Sequence, residues 1–134
     1  MRFSGGCVCG DVRYECDAEN VLMFNCHCRD CKHVSGGPCA PVAYVKLSSF
    51  RVTKGRLSYY ATESMAMGEN KRGFCGRCGS RITGGETADG IGILAGSMDD
   101  SSWFTPQVDI QVEDAQPWDC MEPSRPRFER YPPQ

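Results

Sequence analysis

The spacing of its cysteines constrains this chain more than any other feature. Seven of the ten cysteines fall into a C-x-C pair, a C-x-C-x-x-C triplet and a C-x-x-C pair. Such spacings let neighbouring sulfurs converge on one ion, because a tetrahedral zinc with Zn–S bonds of about 2.3 Å needs its sulfurs only about 3.8 Å apart. The first pair is Cys7 and Cys9, the triplet is Cys26, Cys28 and Cys31, and the second pair is Cys75 and Cys78.

The number of sulfurs in each cluster predicts two different metal sites. The two pairs together supply four thiolates, which is the donor set of a closed structural zinc site. The triplet supplies three, which leaves one free coordination position of the kind that catalytic zinc keeps. We therefore predict two zinc ions per chain, a structural one held by both pairs and a catalytic one held by the triplet. Spacing leaves two alternatives open: a single zinc with the other cluster metal-free, and a site that joins Cys75 and Cys78 to the triplet.

The remaining cysteines and the two histidines are weaker candidates for metal ligands. His27 lies inside the triplet, and we expect it to point away from the flanking sulfurs, either beside the metal site or in solvent. His33 follows Cys31 by two residues, and a role as fourth ligand or general base is the less favoured interpretation. Three cysteines stand alone, which is typical of small buried side chains: Cys16, Cys39 and Cys120.

Composition explains why a chain of this kind would need metal. Its length of 134 residues predicts one domain, residues 1–134. Leu, Ile, Val and Phe together account for only 23 residues, which is little for a core built by apolar burial alone. The formal net charge is −2, and so small a charge argues against disorder as the explanation. Metal binding would supply the missing stability.

The sequence argues against several classes of protein. The chain has no apolar run of about 18 residues, so we predict no membrane span. Its first ten residues contain no apolar segment of a secretory signal, which favours a reducing, cytoplasmic compartment where cysteines are metal ligands or catalytic thiols before disulfides. A sequence pI of 5.7 argues against binding nucleic acid by bulk charge.

Dense turn signals between short apolar stretches predict a mainly β fold. Many short strands in one small domain are typical of all-β architectures, and no segment predicts a helix of three turns. Residues 29–35 are expected to form one short helical turn, and the Pro-rich residues 123–134 to run over the surface. The predicted strands are residues 8–14, 21–25, 42–47, 50–53, 57–61, 91–95 and 108–112.

The residues around the cysteines carry a resemblance that spans nearly the whole chain. Residues 6–14, GCVCGDVRY, are similar to an opening G-x-C-x-C-G-x-V-x-Y motif, with one residue fewer before the first cysteine. Residues 25–32, NCHCRDCK, and 74–80, FCGRCGS, are similar to a C-x-C-x-x-C followed by a basic residue and to F-C-x-x-C-G-[ST]. Residues 96–100, GSMDD, and the late aromatic positions also match. In this order, these motifs resemble the glutathione-dependent formaldehyde-activating enzyme (GFA) family, which includes CENP-V-like proteins.

The resemblance implies a β-tent fold, in which antiparallel sheets meet at a zinc site. It implies the same division into a four-cysteine structural zinc and a three-cysteine catalytic zinc. It also implies the activity of a carbon–sulfur lyase that condenses formaldehyde with glutathione to S-hydroxymethylglutathione, or catalyses the reverse. Residues 36–39, GGPC, depart from the family, which tends to place a small residue and then an aromatic there.

An anionic thiol such as glutathione needs basic anchors. Arg29 and Lys32 flank the last cysteine of the triplet and are the first candidates, and Lys71 and Arg72 come next. The alternative for each is a solvated surface charge. Residues 1–81 carry twelve of the fifteen Lys and Arg, whereas residues 82–124 carry none. This asymmetry fits either two differently charged faces or a basic rim around a site for an anion.

The expected partners are therefore a small-molecule thiol and an aldehyde, with neither nucleic acid nor membrane. Two other functions stay open. One is a zinc-stabilised binding module without chemistry on the same fold, although the acidic balance weighs against chromatin or microtubule binding. The other is a redox-sensing thiol cluster, which would lose zinc reversibly on mild oxidation.

Overall fold

The computed structural model of the chain describes residues 1–64 and 68–133. Within these residues the chain forms ten strands, one α-helix and three short 3₁₀ turns, which confirms the prediction of a mainly β fold with few helices. The helix α1 is Arg29–Ser35, and the strands are β1 (Arg2–Gly6), β2 (Arg13–Asp17), β3 (Leu22–Cys26), β4 (Ala40–Lys46), β5 (Phe50–Lys54), β6 (Ser58–Ser64), β7 (Gly68–Phe74), β8 (Arg81–Gly84), β9 (Gly90–Leu94) and β10 (Val108–Ile110).

The strands form two sheets. The small sheet has the order β1-β2-β5, and the large sheet has the order β10-β3-β4-β9-β8-β7-β6. All pairs are antiparallel except β10 with β3, which run parallel. Among the described residues, no helix is long and apolar enough to cross a membrane.

Six of the seven predicted strands overlap observed ones along most of their length, with ends that differ by up to three residues. The predicted strand 8–14 is wrong over most of its length, because residues 7–12 form turns and β2 begins at Arg13. Gly10 has a φ of 83°, which is incompatible with an extended strand. Three strands, β1, β7 and β8, were not predicted, because their glycine-rich or polar sequences lack apolar alternation.

The helix α1 has the bounds that the sequence predicts. At its start the Cys28 sulfur accepts a hydrogen bond from the Cys31 backbone N–H, as N-capping side chains do. At its end Gly36 has a φ of 72°, and its N–H donates to the Lys32 carbonyl. Glycine adopts this left-handed backbone without the strain that other residues incur, so the helix stops after two turns.

Buried apolar side chains form two clusters, and each contains cysteines from one metal-ligand set. The larger cluster packs residues of both sheets around Tyr14, Ile82 and Ile93, and it includes Cys7 and Cys75. The smaller cluster lies beside α1 and consists of Cys26, Cys31, Ala40 and Ile110, with partly buried neighbours. The metal-ligand sets are therefore parts of two separate apolar centres.

The two sheets meet where Tyr14 of β2 reaches the 3₁₀ turn Ala95–Ser97 that follows β9. The Ser97 hydroxyl donates to the Leu94 carbonyl at 2.7 Å, so it accepts from the Tyr14 hydroxyl at 2.8 Å. Gly5 of β1 lies against this junction. A Cβ atom added at Gly5 would lie 2.2 Å from the Ser97 carbonyl oxygen and 2.4 Å from the Tyr14 hydroxyl oxygen. The contact between the sheets thus requires glycine at this position.

Replacing Gly5 with alanine should destabilise the protein, because neither the Ser97 backbone nor the buried Tyr14 ring can move freely. We expect Gly5→Ala to lower the free energy of unfolding by about 1–3 kcal/mol, the usual cost of overpacking. Gly96→Ala is the matched control, since a Cβ there would meet no atom within 4 Å. Urea unfolding followed by circular dichroism at fixed excess zinc measures both variants. Equal midpoints for the two would contradict this account of the junction.

Candidate metal centres

The structure brings the two cysteine pairs together into one cluster, here called the quartet. Cys7 and Cys9 lie in the turn after β1, and Cys75 and Cys78 lie in the turn after β7. Their four sulfurs all lie within 4.8 Å of one another. The Cys7 and Cys9 sulfurs are 3.5 Å apart, and those of Cys9 and Cys75 are 3.8 Å apart. These distances and an all-sulfur donor set fit a tetrahedral zinc.

Both turns of the quartet close through a glycine. The Gly10 N–H donates to the Cys7 carbonyl at 3.2 Å, and the Gly79 N–H donates to the Cys75 carbonyl at 2.8 Å. Their φ angles are 83° and 80°, and an added Cβ would meet no atom within 4 Å at either position. Glycine is therefore needed here for its backbone conformation and not for lack of space.

Hydrogen bonds favour the thiolate form at two of the quartet sulfurs, those of Cys7 and Cys78. The Val12 backbone N–H donates to the Cys7 sulfur at 3.2 Å. The Val8 N–H donates to the Ser80 hydroxyl oxygen at 3.0 Å, which leaves the Ser80 hydroxyl proton to be donated to the Cys78 sulfur 3.2 Å away. The Ser80 side chain, followed by its backbone N–H, lowers the pKa of Cys78 to about 5. A thiolate is the form that binds metal.

The triplet is built by the end of β3 and the first turn of α1. Cys26 is the last residue of β3, Cys28 caps the helix and Cys31 lies in its first turn. The three sulfurs lie within 4.8 Å of one another, and Cys26 and Cys31 are buried. Three sulfurs fit a tetrahedral ion with one position left for another ligand. Within the described residues, no other group of three or more His, Cys, Asp or Glu side chains converges in this way.

The surroundings of one sulfur of the triplet favour its thiolate form. Hydrogen bonds from the Cys26 and Cys31 thiols, then the Cys31 backbone N–H and the positive charge of Arg72, lower the pKa of Cys28 to about 2. The contacts of Cys26 with the Cys28 and Cys31 sulfurs, followed by burial, raise the pKa of Cys26. The triplet therefore favours the thiolate at Cys28, and a thiolate is the form that binds metal.

Of the four basic residues proposed as anchors, Arg72 is the one whose side chain contacts the triplet. Its side chain extends from β7, only 6% of the residue is exposed, and its Nη1 lies 3.9 Å from the Cys31 sulfur. Its Nε donates to the Thr62 hydroxyl at 3.2 Å, which fixes the guanidinium. Lys71 points elsewhere, with its Nζ 4.0 Å from the centre of the Tyr59 ring.

Two glycines lie on the strands between β4 and β7, close to the triplet and to this guanidinium. Gly84 of β8 and Gly92 of β9 are directly paired. A Cβ at Gly92 would lie 2.7 Å from the Gly84 carbonyl oxygen and 2.8 Å from Cγ1 of Val42, which packs against the buried cysteines of the triplet. A Cβ at Gly84 would lie 4.0 Å from Nη1 of Arg72. Gly92 is therefore required for lack of space, whereas a Cβ at Gly84 would make only an ordinary contact with the guanidinium.

The first-choice anchors Arg29 and Lys32 are tied to the chain instead. The Lys32 ammonium donates to the Asp114 carbonyl, and the Arg29 backbone N–H donates to the Asp114 carboxylate at 3.2 Å. The Arg29 guanidinium is exposed, and its Nη1 lies 3.3 Å from the Asp30 carboxylate. Arg29 thus keeps a charged group at the surface near the triplet, whereas Lys32 fastens α1 to the segment after β10.

His27 is buried beside the triplet, with 2% of the residue exposed, so the alternative of a solvated side chain is wrong. Its Nε2 lies 2.8 Å from the Asp109 carboxylate and its Nδ1 lies 3.4 Å from the Asp119 carboxylate. Because carboxylates occupy both ring nitrogens, neither nitrogen is available to a metal. His33 is exposed, and its Nδ1 lies 3.0 Å from the Arg29 carbonyl oxygen. The spacing of residues in the sequence did not indicate that Asp109 and Asp119 would lie beside His27.

The isolated cysteines differ in their surroundings. Cys16 is buried, as predicted, with 3% of the residue exposed. Cys39 is half-buried, and burial, followed by the negative charges of Asp119 and Asp109, raises its pKa to about 11. The prediction of a buried Cys120 is wrong, because this cysteine lies exposed in the segment after β10, where no strand covers it.

Comparisons with known proteins agree with this geometry. The family model for the glutathione-dependent formaldehyde-activating enzyme (GFA) matches residues 2–114. The crystal structure of a Rhodobacter sphaeroides protein, a structural genomics target, is similar with a TM-score of 0.58 and 24% sequence identity, over 72% of this chain and 87% of that one. At that identity the likeness shows the fold. No curated protein matches the chain. From the family match over most of its length, the chain belongs to the GFA family.

Proposed function

We propose that this protein is a zinc-dependent carbon–sulfur lyase of the GFA type, which condenses a small aldehyde, formaldehyde, with glutathione or catalyses the reverse reaction. The observation that carries the proposal is the three-sulfur cluster with a buried guanidinium beside it. Membership of the GFA family supports the class of reaction. A cluster that served stability alone would gain more from a fourth protein ligand than from an open position.

In this proposal the quartet holds a structural zinc and the triplet, Cys26, Cys28 and Cys31, holds a catalytic one. When bound by three sulfurs, zinc lowers the pKa of a thiol at its free position or polarises a carbonyl oxygen there. The thiolate of glutathione attacks the carbonyl carbon of formaldehyde, a C–S bond forms, and the carbonyl electron pair moves to oxygen, which then takes a proton from solvent. The reverse reaction breaks the same C–S bond.

The residues of the chain bind and orient the two reactants. Arg72 supplies a fixed positive charge beside the sulfurs, where the negative charge of the thiolate and of the developing alkoxide would concentrate. Fixed charges of this kind stabilise a transition state without reorganisation. We retain Arg29 and Lys32 as proposed anchors for the carboxylates of glutathione. Arg29 suits that role better, since its guanidinium is exposed and the Lys32 ammonium already donates to a backbone carbonyl.

The metal content of the purified, reduced protein is the first prediction of this proposal. We expect native mass spectrometry to find two zinc ions per chain in the unaltered protein and one in Cys28→Ser, because two sulfurs hold zinc much more weakly than three. Cys120→Ser is the matched control, since that exposed cysteine belongs to neither cluster, and it should keep both ions. Two retained ions in Cys28→Ser would remove the triplet from metal binding.

Activity should depend on the guanidinium beside the triplet. We expect Arg72→Gln to lower kcat/KM for the exchange of formaldehyde with glutathione by about 10²-fold, the usual effect of removing one fixed charge stabiliser, and Arg72→Lys to recover part of the loss. Exchange spectroscopy by NMR above the uncatalysed background measures this. Arg77→Gln is the control, because Arg77 is an exposed arginine that pairs with Asp11.

Two results would count against the proposal in different ways. An unaltered exchange rate in Arg72→Gln with both zinc ions in place would remove Arg72 from the reaction. A protein that holds two zinc ions but does not accelerate exchange for formaldehyde or other small aldehydes would instead favour the zinc-stabilised binding module.

A further inference from the structure

After β10 the chain returns and runs alongside that strand, where Asp109 and Arg127 form a parallel bridge. The Asp109 N–H donates to the Pro126 carbonyl at 3.0 Å, and the Phe128 N–H donates to the Asp109 carbonyl at 2.9 Å. The Gln111 N–H donates to the Arg130 carbonyl at 2.8 Å. We call residues 116–130 the C-terminal strap. The strap lies beyond residue 114, where the match to the GFA family model ends.

The strap contributes to a buried group of charged side chains around His27. Asp109 of β10 is fully buried, and its carboxylate accepts from Nη1 of Arg125 at 3.0 and 3.3 Å while it contacts His27. The Asp119 side chain is 1% exposed, and its Oδ2 contacts the other ring nitrogen of His27 and accepts the Gln116 N–H at 3.1 Å. Buried charges are costly unless they are paired, and here both carboxylates contact the His27 ring.

The geometry that this group fixes is that of the triplet. His27 lies between two of the three cysteines, Cys26 and Cys28, and its backbone N–H donates to the Ile110 carbonyl at 3.0 Å. With its ring nitrogens held by Asp109 and Asp119, His27 cannot turn without breaking these bonds. The backbone that carries both neighbouring sulfurs is therefore anchored to the strap through one side chain.

The other end of the triplet is anchored to the same region of the chain. Asp114, just before the strap, accepts from the Arg29 N–H and from the Lys32 ammonium at the first turns of α1. A three-ligand site forms fewer bonds from protein to metal than a closed one, so its affinity depends strongly on how well the ligands are held beforehand. The quartet has no such connection to the strap among the hydrogen bonds of the described residues.

We propose that Asp109 and Asp119 are positioning residues that act through His27, and that the strap thereby sets the metal affinity of the triplet. The inference rests on metal binding by the triplet in the proposed function, but not on which reaction follows. The quartet keeps its affinity when the strap is altered, because its four sulfurs are held by their own turns. Loss of the Asp119 contact therefore weakens metal binding by the triplet and leaves the quartet of the same molecule as an internal reference.

The test uses the full-length chain loaded with zinc and titrated with a chromophoric chelator, with native mass spectrometry to count the ions that remain. We expect Asp119→Ala to lower the zinc affinity of the triplet by about 10- to 100-fold, the usual effect of removing a carboxylate behind a metal site. The zinc affinity of the quartet in this variant should equal that in the unaltered protein. Asp119→Asn keeps an oxygen that accepts from the ring, so it should recover most of the affinity.

Glu122→Ala is the matched control on the strap, because its exposed carboxylate accepts only from Ser124 among the recorded bonds of the described residues. It should release both ions as the unaltered protein does. Cobalt substitution adds a spectroscopic measure, since the absorption bands of the triplet should shift in Asp119→Ala and not in Glu122→Ala.

Each outcome decides the inference separately from the proposed function. Unchanged triplet affinity in Asp119→Ala would overturn the inference even in an active enzyme, and so would loss of both ions, which would make Asp119 a general structural residue. A single zinc in the unaltered protein would overturn it as well. Selective loss of triplet zinc would support it even if the protein showed no lyase activity, and the proposed function alone would then fail.

Discussion

The convergence of four sulfurs from two turns is the constraint on which the rest of this structure depends. Cys7 and Cys9 follow a strand of the small sheet, whereas Cys75 and Cys78 follow a strand of the large sheet. A structural zinc contributes about 10–16 kcal/mol of binding free energy, which is as large as the whole stability of a typical domain at about 5–15 kcal/mol. With few large apolar side chains, the two sheets would gain more from a zinc ion at this junction than from any single apolar contact.

The spacing of cysteines predicts the triplet and each of the two pairs because it is a local property. Two sulfurs separated by one or two residues are already close, so only the pairing of distant clusters needs the fold. The helix 29–35 is predictable for the same reason, since Cys28 and Gly36 mark its ends within the sequence. Strand β7 shows the limit: its sequence, GENKRGF, has no apolar alternation, and it is a strand because β6 and β8 supply its hydrogen bonds.

The sequence indicated Arg72 only as a second choice and did not indicate Asp109 or Asp119 at all, because the positions of these residues beside the triplet depend on tertiary contacts. Arg72 meets Cys31 across 41 positions of the chain, and His27 meets Asp119 across 92. The basic residues nearest in sequence, Arg29 and Lys32, were the natural first choice. Yet a helix turns successive side chains in different directions, so closeness in sequence did not bring their charges to the sulfurs. Cys16 and Cys120 illustrate the same limit, since an isolated cysteine carries no pattern that tells burial from exposure.

In the proposed function, the two clusters divide stability and chemistry between separate parts of the fold. The quartet belongs to the larger apolar cluster, which joins the sheets, whereas the triplet belongs to the smaller one beside α1. Charged groups gather around the triplet, with Arg72 on one side and the His27 group on the other. In a closed site the protein supplies all four ligands, so nearby charges have no outside ligand to act on. In an open site, fixed charges can act on the molecule that binds the fourth position. Because the apolar cluster that joins the sheets lies elsewhere, the triplet can hold buried charges and an open position without weakening the junction on which the fold depends.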